Sequence, residues 1–312
     1  MGMGFSAVNI DQSLFRPVFI VEPRSWLSRV RTPLPAPEKD FSERWGLFLL
    51  YLPHMVIDPN VVESIVRGVR EMLLPHYYAE VAFTSKSEQA HDLVTELDVS
   101  VEKYLHAELG KRYPDVSFVG EETGGDRSAA RKWLCDPIDG TVHFIRGNPF
   151  CTTMLALIED GQVNMGFIYD FVGDVLYHAV RGQGAYRNGE PIHVSTRALK
   201  GSYMGWETHI EKEENLRIHL DLTSKSTFFK SVCAGTEFAM VAMGKLEGRI
   251  CFDPYGKDYD FAPGSLLVSE AGGIVTNIGS TGYDYTNLNF IAANPIVYKE
   301  LTEGSEALFP LV

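Results

Sequence analysis

Three segments of the 312-residue chain place carboxylates where a core-building sequence would not. Gly120-Glu121-Glu122 follows the apolar run 116–119. Asp136-Pro137-Ile138-Asp139-Gly140-Thr141 follows 133–135, and Tyr259-Asp260-Phe261-Ala262-Pro263-Gly264 opens a helix-like stretch. In the second segment two aspartates flank a Pro-Ile dipeptide, so one turn can aim both carboxylates and the Ile138 carbonyl at one region. Hard oxygen ligands of this kind suit Mg²⁺ rather than zinc, and no His or Cys cluster competes with them. Gly140 and Thr141 then open a short helix through Phe144, whose free N–H groups make an anion site beside the metal. Metal, activated water and phosphate in contact are the parts of metal-assisted phosphate ester hydrolysis. Each segment alone has a plainer reading. Asp-Pro and Asp-Gly are ordinary turn pairs, a Glu pair is commonly solvated, and an Asp before a helix is an N-cap. The three together favour cation binding.

These side chains need elements to aim them. Asp58-Pro59 supplies an N-cap and a helix-compatible proline. Val62, Ile65, Val66, Val69 and Leu73 follow at helical spacing, which predicts one helix with a single apolar face. A second helix starts near Thr95, carries the stripe Leu97, Val101, Leu105 and Leu109, and ends at Gly110 and Pro114. Residues 116–119 and 132–135 read as short strands that each run into an acidic turn. Residues 152–158, 163–169 and 175–180 read as consecutive strands, with Asp160-Gly161 as a hairpin turn. Residues 237–244 and 261–270 read as helices, the second stopped by Gly272-Gly273. Blocks of strands and helices alternate, which predicts a layered α/β domain.

The run from Asp136 to Thr141, with Phe144 after it, resembles the signature of the inositol monophosphatase superfamily. Gly120-Glu121-Glu122 stands upstream at the family's usual distance, and Tyr259-Asp260 through Glu270-Ala271-Gly272-Gly273 resembles its second signature. Lys86 and the stretch Asp92-Leu93-Val94-Thr95-Glu96-Leu97-Asp98, with Glu102, resemble its N-terminal element. The resemblance implies an αβαβα sandwich of the inositol monophosphatase / fructose-1,6-bisphosphatase type over residues 58–312. Its metal-binding half would run to about residue 195 and a smaller α/β half would follow. It also implies that Glu121, Asp136, Asp139 and Asp260, with the Ile138 carbonyl, hold two or three Mg²⁺ ions. Glu121 and Thr141 would position and deprotonate the attacking water, and Asp98 would support a weaker metal. The Gly140 and Thr141 amides would bind phosphate. Lithium sensitivity and a homodimer are carried over on the same ground.

Several positions around this set depart from the family pattern. His143 stands where the family usually carries Asn, and serves either a structural or a titrating role. The segment 231–237 replaces the usual Gly-Ser-Ala or Gly-Thr-Ala run, and the region 248–260 is slightly longer than in inositol-specific members. Asp253 is the candidate for gripping substrate hydroxyls. Lys257, three residues before Asp260, is either a cation near the phosphate or an exposed loop lysine. The loop 205–214 lacks the family's small residues and carries Trp206, Glu207 and His209; Trp206 there would narrow the pocket or stack on a ring. The expected activity is Mg²⁺-dependent hydrolysis of a small polyol or sugar phosphate, inositol monophosphate first. Fructose 1,6-bisphosphate, histidinol phosphate and 3′(2′),5′-bisphosphate nucleotides are alternatives, as is a regulatory binding protein that keeps the fold.

Composition sets the outer bounds. With 45% hydrophobic and 12% aromatic residues the chain can pack a core, so disorder is excluded. A net charge of −13, from 28 Lys+Arg against 41 Asp+Glu, argues against nucleic acid as the main partner. It leaves a small phosphorylated substrate open, because a bound cation inverts local electrostatics. Four cysteines without C-x-x-C spacing predict a reducing, cytoplasmic setting. The apolar run 46–57 is broken by Pro53 and too short for a membrane span. Residues 1–57, punctuated by prolines, read as an irregular extension.

Overall fold

The apolar stripe beginning at Val62 folds as two helices rather than one, α1 (Pro59–Arg67) and α2 (Val69–Leu73). Asp58 caps the first as expected, its carboxylate accepting from the Asn60 amide at 2.9 Å. The break at Gly68 has a side-chain cause. The Tyr104 hydroxyl lies 3.2 Å from the Ile65 carbonyl and donates to it, and a Cβ on Gly68 would stand 2.0 Å from that hydroxyl. An outside donor inserted at a helical carbonyl interrupts the ladder there. This computed structural model describes residues 55–79, 82–85 and 93–311, which belong to a compact unit spanning His54–Val312. Most of the Pro-rich extension, together with Lys86 and Asp92, lies outside the described residues.

A short antiparallel pair, β1 (Thr84–Ser85) and β2 (Leu93–Val94), leads into α3 (Glu96–Arg112). Thr95 caps this helix by accepting from the Leu97 amide at 3.1 Å. It runs past Gly110, the expected stop, because that glycine faces open space and nothing there forces a turn. Seven strands then form one sheet in chain order: β3 (Ser117–Gly120), β4 (Arg131–Asp139), β5 (Thr152–Glu159), β6 (Gln162–Asp170), β7 (Val175–Val180), β8 (Ala185–Arg187) and β9 (Glu190–Pro191). Only the β3–β4 pair is parallel. The helix α4 (Thr141–Ile145) is inserted between β4 and β5. The Asp160-Gly161 hairpin forms as read, both residues at positive φ as a tight two-residue turn requires.

After Pro191 the chain crosses to a five-stranded sheet of order β11-β10-β12-β14-β13. Its elements are β10 (Tyr203–Glu207), α5 (Glu213–Lys225), β11 (Thr227–Phe229), α6 (Ala234–Ala242), β12 (Gly248–Cys251), α7 (Asp258–Glu270), β13 (Ile274–Asn277), β14 (Phe290–Ala293) and α8 (Pro295–Thr302). The helices α6 and α7 each start three residues before the position read from sequence, because their first turns are held by long-range contacts rather than by an apolar stripe.

Alternation along the strands shows how the layers stack. In β5, Met154, Ala156 and Ile158 pack with Phe238, Phe261 and Leu266 of α6 and α7. Leu155 and Leu157 point the other way, toward Val66, Val101 and Leu105 of α1 and α3. In β14, Phe290 and Ala292 join the first group, while Ile291 and Ala293 face Leu222 of α5 and Val297 of α8. The order is therefore helices, seven-stranded sheet, α6 with α7, five-stranded sheet, helices: the αβαβα sandwich. Close approach of the middle layer depends on glycine. A Cβ on Gly166 would meet the Pro263 carbonyl at 2.5 Å, and one on Gly264 would meet the Phe238 ring at 2.1 Å.

Candidate active site

The first acidic segment is a true turn. Gly120 and Gly124 exchange backbone hydrogen bonds of 3.0 and 3.1 Å, and the Glu121 amide donates to the Cys135 carbonyl at 3.0 Å. Beneath the turn lies Glu102, fully buried on α3. Its carboxylate accepts from the Glu122 amide (2.7 Å), the Thr123 amide (2.9 Å) and the Thr123 hydroxyl (2.6 Å). Gly120 is required beside it, since a Cβ there would lie 2.2 Å from Glu102 Oε2. Glu102 thus fixes the turn that presents Glu121. Its signal in the sequence was spacing: Asp98 and Glu102 sit on the same buried stripe as Val101, Leu105 and Leu109.

The second segment departs from its sequence reading. It is not a turn after a strand but the end of β4 itself, which continues through Asp139. Asp136 still pairs with Met154 and Asp139 with Thr152 of β5, and the register shifts between them at Pro137-Ile138. Proline lacks the ladder donor, so the pleat is displaced there without ending the strand. The displacement lets Thr153 Oγ1 hold the Pro137 carbonyl at 2.8 Å, while the Ile138 carbonyl takes the Thr141 hydroxyl at 2.8 Å. Gly140, at φ +82°, then turns the chain into α4. Thr141 Oγ1 also lies 3.4 Å from Oδ1 of Asp98, whose Oδ2 accepts from the Thr95 amide and hydroxyl. Asp98 therefore caps α3 and faces Thr141 together.

Asp260 lies in the first turn of α7, its Oδ2 accepting from the Lys257 amide at 2.5 Å. The structure brings it to Asp136. Burial pushes the Asp136 carboxyl well above the usual carboxylate range, and the nearby charges of Glu121, Asp260 and Asp139 push it further. Burial does the same to Asp260, reinforced by Glu121 and Asp139. The charge of Asp260 adds to the burial that raises Asp136, a like-charge repulsion that a shared proton or a cation would relieve. Burial also raises Asp139, but donors relieve it: the Gly235 amide at 2.6 Å, the Cys233 thiol at 3.1 Å, the Ala234 amide at 3.0 Å, and the charge of Arg249. Thr152 Oγ1 adds a contact at 3.1 Å. These partners at the start of α6 were not legible in the sequence.

An all-oxygen donor set of Glu121, Asp136, Asp139, Asp260 and the Ile138 carbonyl fits a hard divalent cation, and the repulsion within it is what such a cation would relieve. Among the described residues no three His, Cys, Asp or Glu side chains stand grouped as a metal cage.

The outer candidates separate. His143 Nε2 lies 2.5 Å from the Ser231 carbonyl, and its ring stands edge-on to Phe150, so it ties α4 to the loop before α6. Lys257 is exposed at the start of α7, and its backbone, not its ammonium, is what contacts Asp260. Asp253 is gripped by Lys212 Nζ at 2.6 Å and Asn215 Nδ2 at 2.8 Å. Trp206 is corrected outright. It is 3% exposed, stacked on Phe228 at 4.1 Å, and donates to His219 Nδ1 at 2.9 Å. Alternation along β10 turns it into the outer core of the five-stranded sheet, while its neighbour Glu207 faces inward toward Arg249.

Comparison with known proteins bears on the whole unit. The model of the inositol monophosphatase family matches residues 59–308. Nus factor SuhB of Escherichia coli K12 is 29% identical over 251 residues, covering 78% of this chain and 93% of that protein. Inositol monophosphatase 1 of Solanum lycopersicum is 31% identical over 227 residues, covering 68% and 82%. Among solved structures, an IMPase of Thermotoga maritima superposes with a TM-score of 0.69 at 26% identity, covering 76% of this chain and 92% of that one. Among the described residues no helix is long and apolar enough to cross a membrane.

Proposed function

The chain belongs to the inositol monophosphatase family of phosphatases, and from that premise we propose that it is a Mg²⁺-dependent phosphomonoesterase acting on a small polyol or sugar phosphate, inositol monophosphate first. The observation that carries this reading is the convergence of Asp136, Asp260 and Glu121, with burial and the neighbouring carboxylate charges raising the first two. Glu121, Asp136, Asp139, Asp260 and the Ile138 carbonyl would hold the metal. When bound there, Mg²⁺ would supply positive charge to the phosphoryl group and acidify a coordinated water.

The chain's own residues do the rest. Glu121, presented on its clamped turn, accepts the proton of the attacking water. The Thr141 hydroxyl, held between the Ile138 carbonyl and Asp98, orients that water. The Gly140 and Thr141 amides bind phosphate oxygens at the start of α4. Asp98 supports a further, weaker metal position. A homodimer and a cytoplasmic setting complete this reading by analogy with the family. The relative named a Nus factor supports a second reading, a regulatory protein that retains the fold. The full acidic set favours catalysis.

Phosphate release from inositol 1-phosphate, fructose 1,6-bisphosphate and adenosine 3′,5′-bisphosphate, with Mg²⁺ and with or without lithium, tests the proposal. Turnover that requires Mg²⁺, falls with lithium and is fastest on inositol 1-phosphate is expected. Much slower turnover of inositol 1-phosphate than of the others removes the leading substrate, and no turnover of any leaves the regulatory reading.

A further inference from the structure

Arg249 on β12 is 3% exposed, deep between the five-stranded sheet and the middle helices. Its Nη1 pairs with the buried carboxylate of Glu237 on α6, and its Nη2 donates to Glu207 Oε2 on β10 at 2.7 Å. The guanidinium lies over the rings of Phe238 at 5.2 Å and Phe261 at 5.6 Å, and Phe261 is the residue after Asp260. Its Nε has no hydrogen-bond partner among the described residues. A buried guanidinium with an unsatisfied donor is a costly way to fill space. What it gains is reach in two directions.

Each carboxylate it holds is itself the anchor of a loop. Glu237 Oε1 accepts from the Ser231 amide at 2.8 Å and contacts the Ser231 hydroxyl at 3.0 Å, and that hydroxyl accepts from the Cys233 amide at 3.2 Å. The same short loop delivers the Cys233 thiol and the Ala234 and Gly235 amides to Asp139. On the other side, Glu207 Oε1 accepts from the Tyr255 amide at 2.9 Å and the Gly256 amide at 2.7 Å. The next residue, Lys257, donates its amide to Asp260, and a Cβ on Gly256 would stand 2.9 Å from Asp260 Oδ2. One planar fork therefore ties together the loops that aim Asp139, at the end of β4, and Asp260, in the first turn of α7.

We propose that Arg249 is a positioning residue: through Glu237 and Glu207 it fixes the relative placement of Asp139 and Asp260, and so sets the affinity of the centre for divalent cation rather than for substrate. The inference rests on the proposed metal role of those two aspartates. A lysine cannot do the same work, because a single ammonium does not present two fixed donor directions to carboxylates on separate elements.

The test uses the full-length protein stripped of metal, titrated calorimetrically with Mg²⁺ at a temperature where circular dichroism shows it folded. Arg249→Lys and Glu207→Gln should each weaken Mg²⁺ binding by about tenfold or more. With saturating Mg²⁺, turnover should recover and KM should stay within about threefold of wild type. Unchanged Mg²⁺ affinity in a folded variant, or a KM that rises while Mg²⁺ affinity holds, overturns the inference. If Arg249→Lys does not fold, Glu207→Gln decides alone, since its side chain is already 21% exposed. Wild-type protein that binds no Mg²⁺ removes the proposed function and this inference with it. Wild type and variants that bind equally remove only the role of Arg249.

Discussion

Two groups of carboxylates flank the same middle helices, and the chain treats them oppositely. Glu207 and Glu237 close on Arg249, a cation supplied by the sequence itself. Burial raises the Glu237 carboxyl, and the guanidinium and the Ser231 donors pull it back. Asp136 and Asp260 instead close on each other and on Glu121, so every neighbouring charge adds to the burial that already raises Asp136. The difference is one of completeness. The Arg249 group brings its countercharge from within the chain, whereas the charges around Asp136 are like charges that a bound cation would relieve. On the proposed function, the positive charge that a phosphate needs would arrive with the metal.

The comparison breaks most visibly at Asp139. Asp139→Asn should lower phosphate release by about a thousandfold, some 4 kcal/mol of barrier; a rate within a few-fold of wild type would remove Asp139 from the metal set. On the other side, Arg249→Met leaves the buried Glu237 carboxylate without its cation and should destabilise the fold by about 3–5 kcal/mol in urea unfolding. Adding Glu237→Gln and Glu207→Gln to it should recover part of that loss, because no charge is then stranded. Mg²⁺ at about a hundred times its dissociation constant should raise unfolding free energy by about 2.7 kcal/mol over the protein in EDTA. Asp136→Asn should abolish most of that gain, while Trp206→Phe should leave it intact.

A pH series sharpens the contrast further. The folded-state values of Asp136 and Asp260 are raised, so their contribution to stability is full below the unfolded value near 4 and is lost as pH rises through the raised values. Metal-free protein should therefore lose up to about 1.4 kcal/mol per pH unit for each group across that window, read as a falling urea midpoint. Saturating Mg²⁺ should flatten the trend, since the carboxylates are then stabilised in their charged form. A metal-free protein that gains stability as pH rises from about 4 to 7 would contradict the shared environment of the two aspartates. Smallest is Trp206→Phe, which should cost about 1 kcal/mol through the lost bond to His219 and leave KM unchanged.

Much of this centre was legible in one dimension because its members are local. Asp136, Ile138, Asp139, Gly140 and Thr141 occupy a single short run, and the strands on either side advertise themselves by apolar periodicity. Local order misled where a partner from elsewhere overrode it. The helix after Asp58 divides because Tyr104, 39 positions from Ile65, reaches its carbonyl. The acidic run stays a strand because β5 keeps pairing with it. Trp206 resembled a rim residue only by its place in a loop-like stretch, and strand alternation turned it inward.

Residue type and short-range order alone determined the layered α/β class, the acidic segments and their suitability for a hard cation, because ligand chemistry and strand or helix period are properties of neighbours in the chain. Only the tertiary structure decided which carboxylates meet and which are neutralised from within. The Gly235 amide that steadies Asp139 is 96 positions away, and the Glu207 that Arg249 holds is 42 positions away. No periodicity records such pairings; they exist because two sheets close on α6 and α7, and burial then makes each unpaired charge expensive enough to demand a partner.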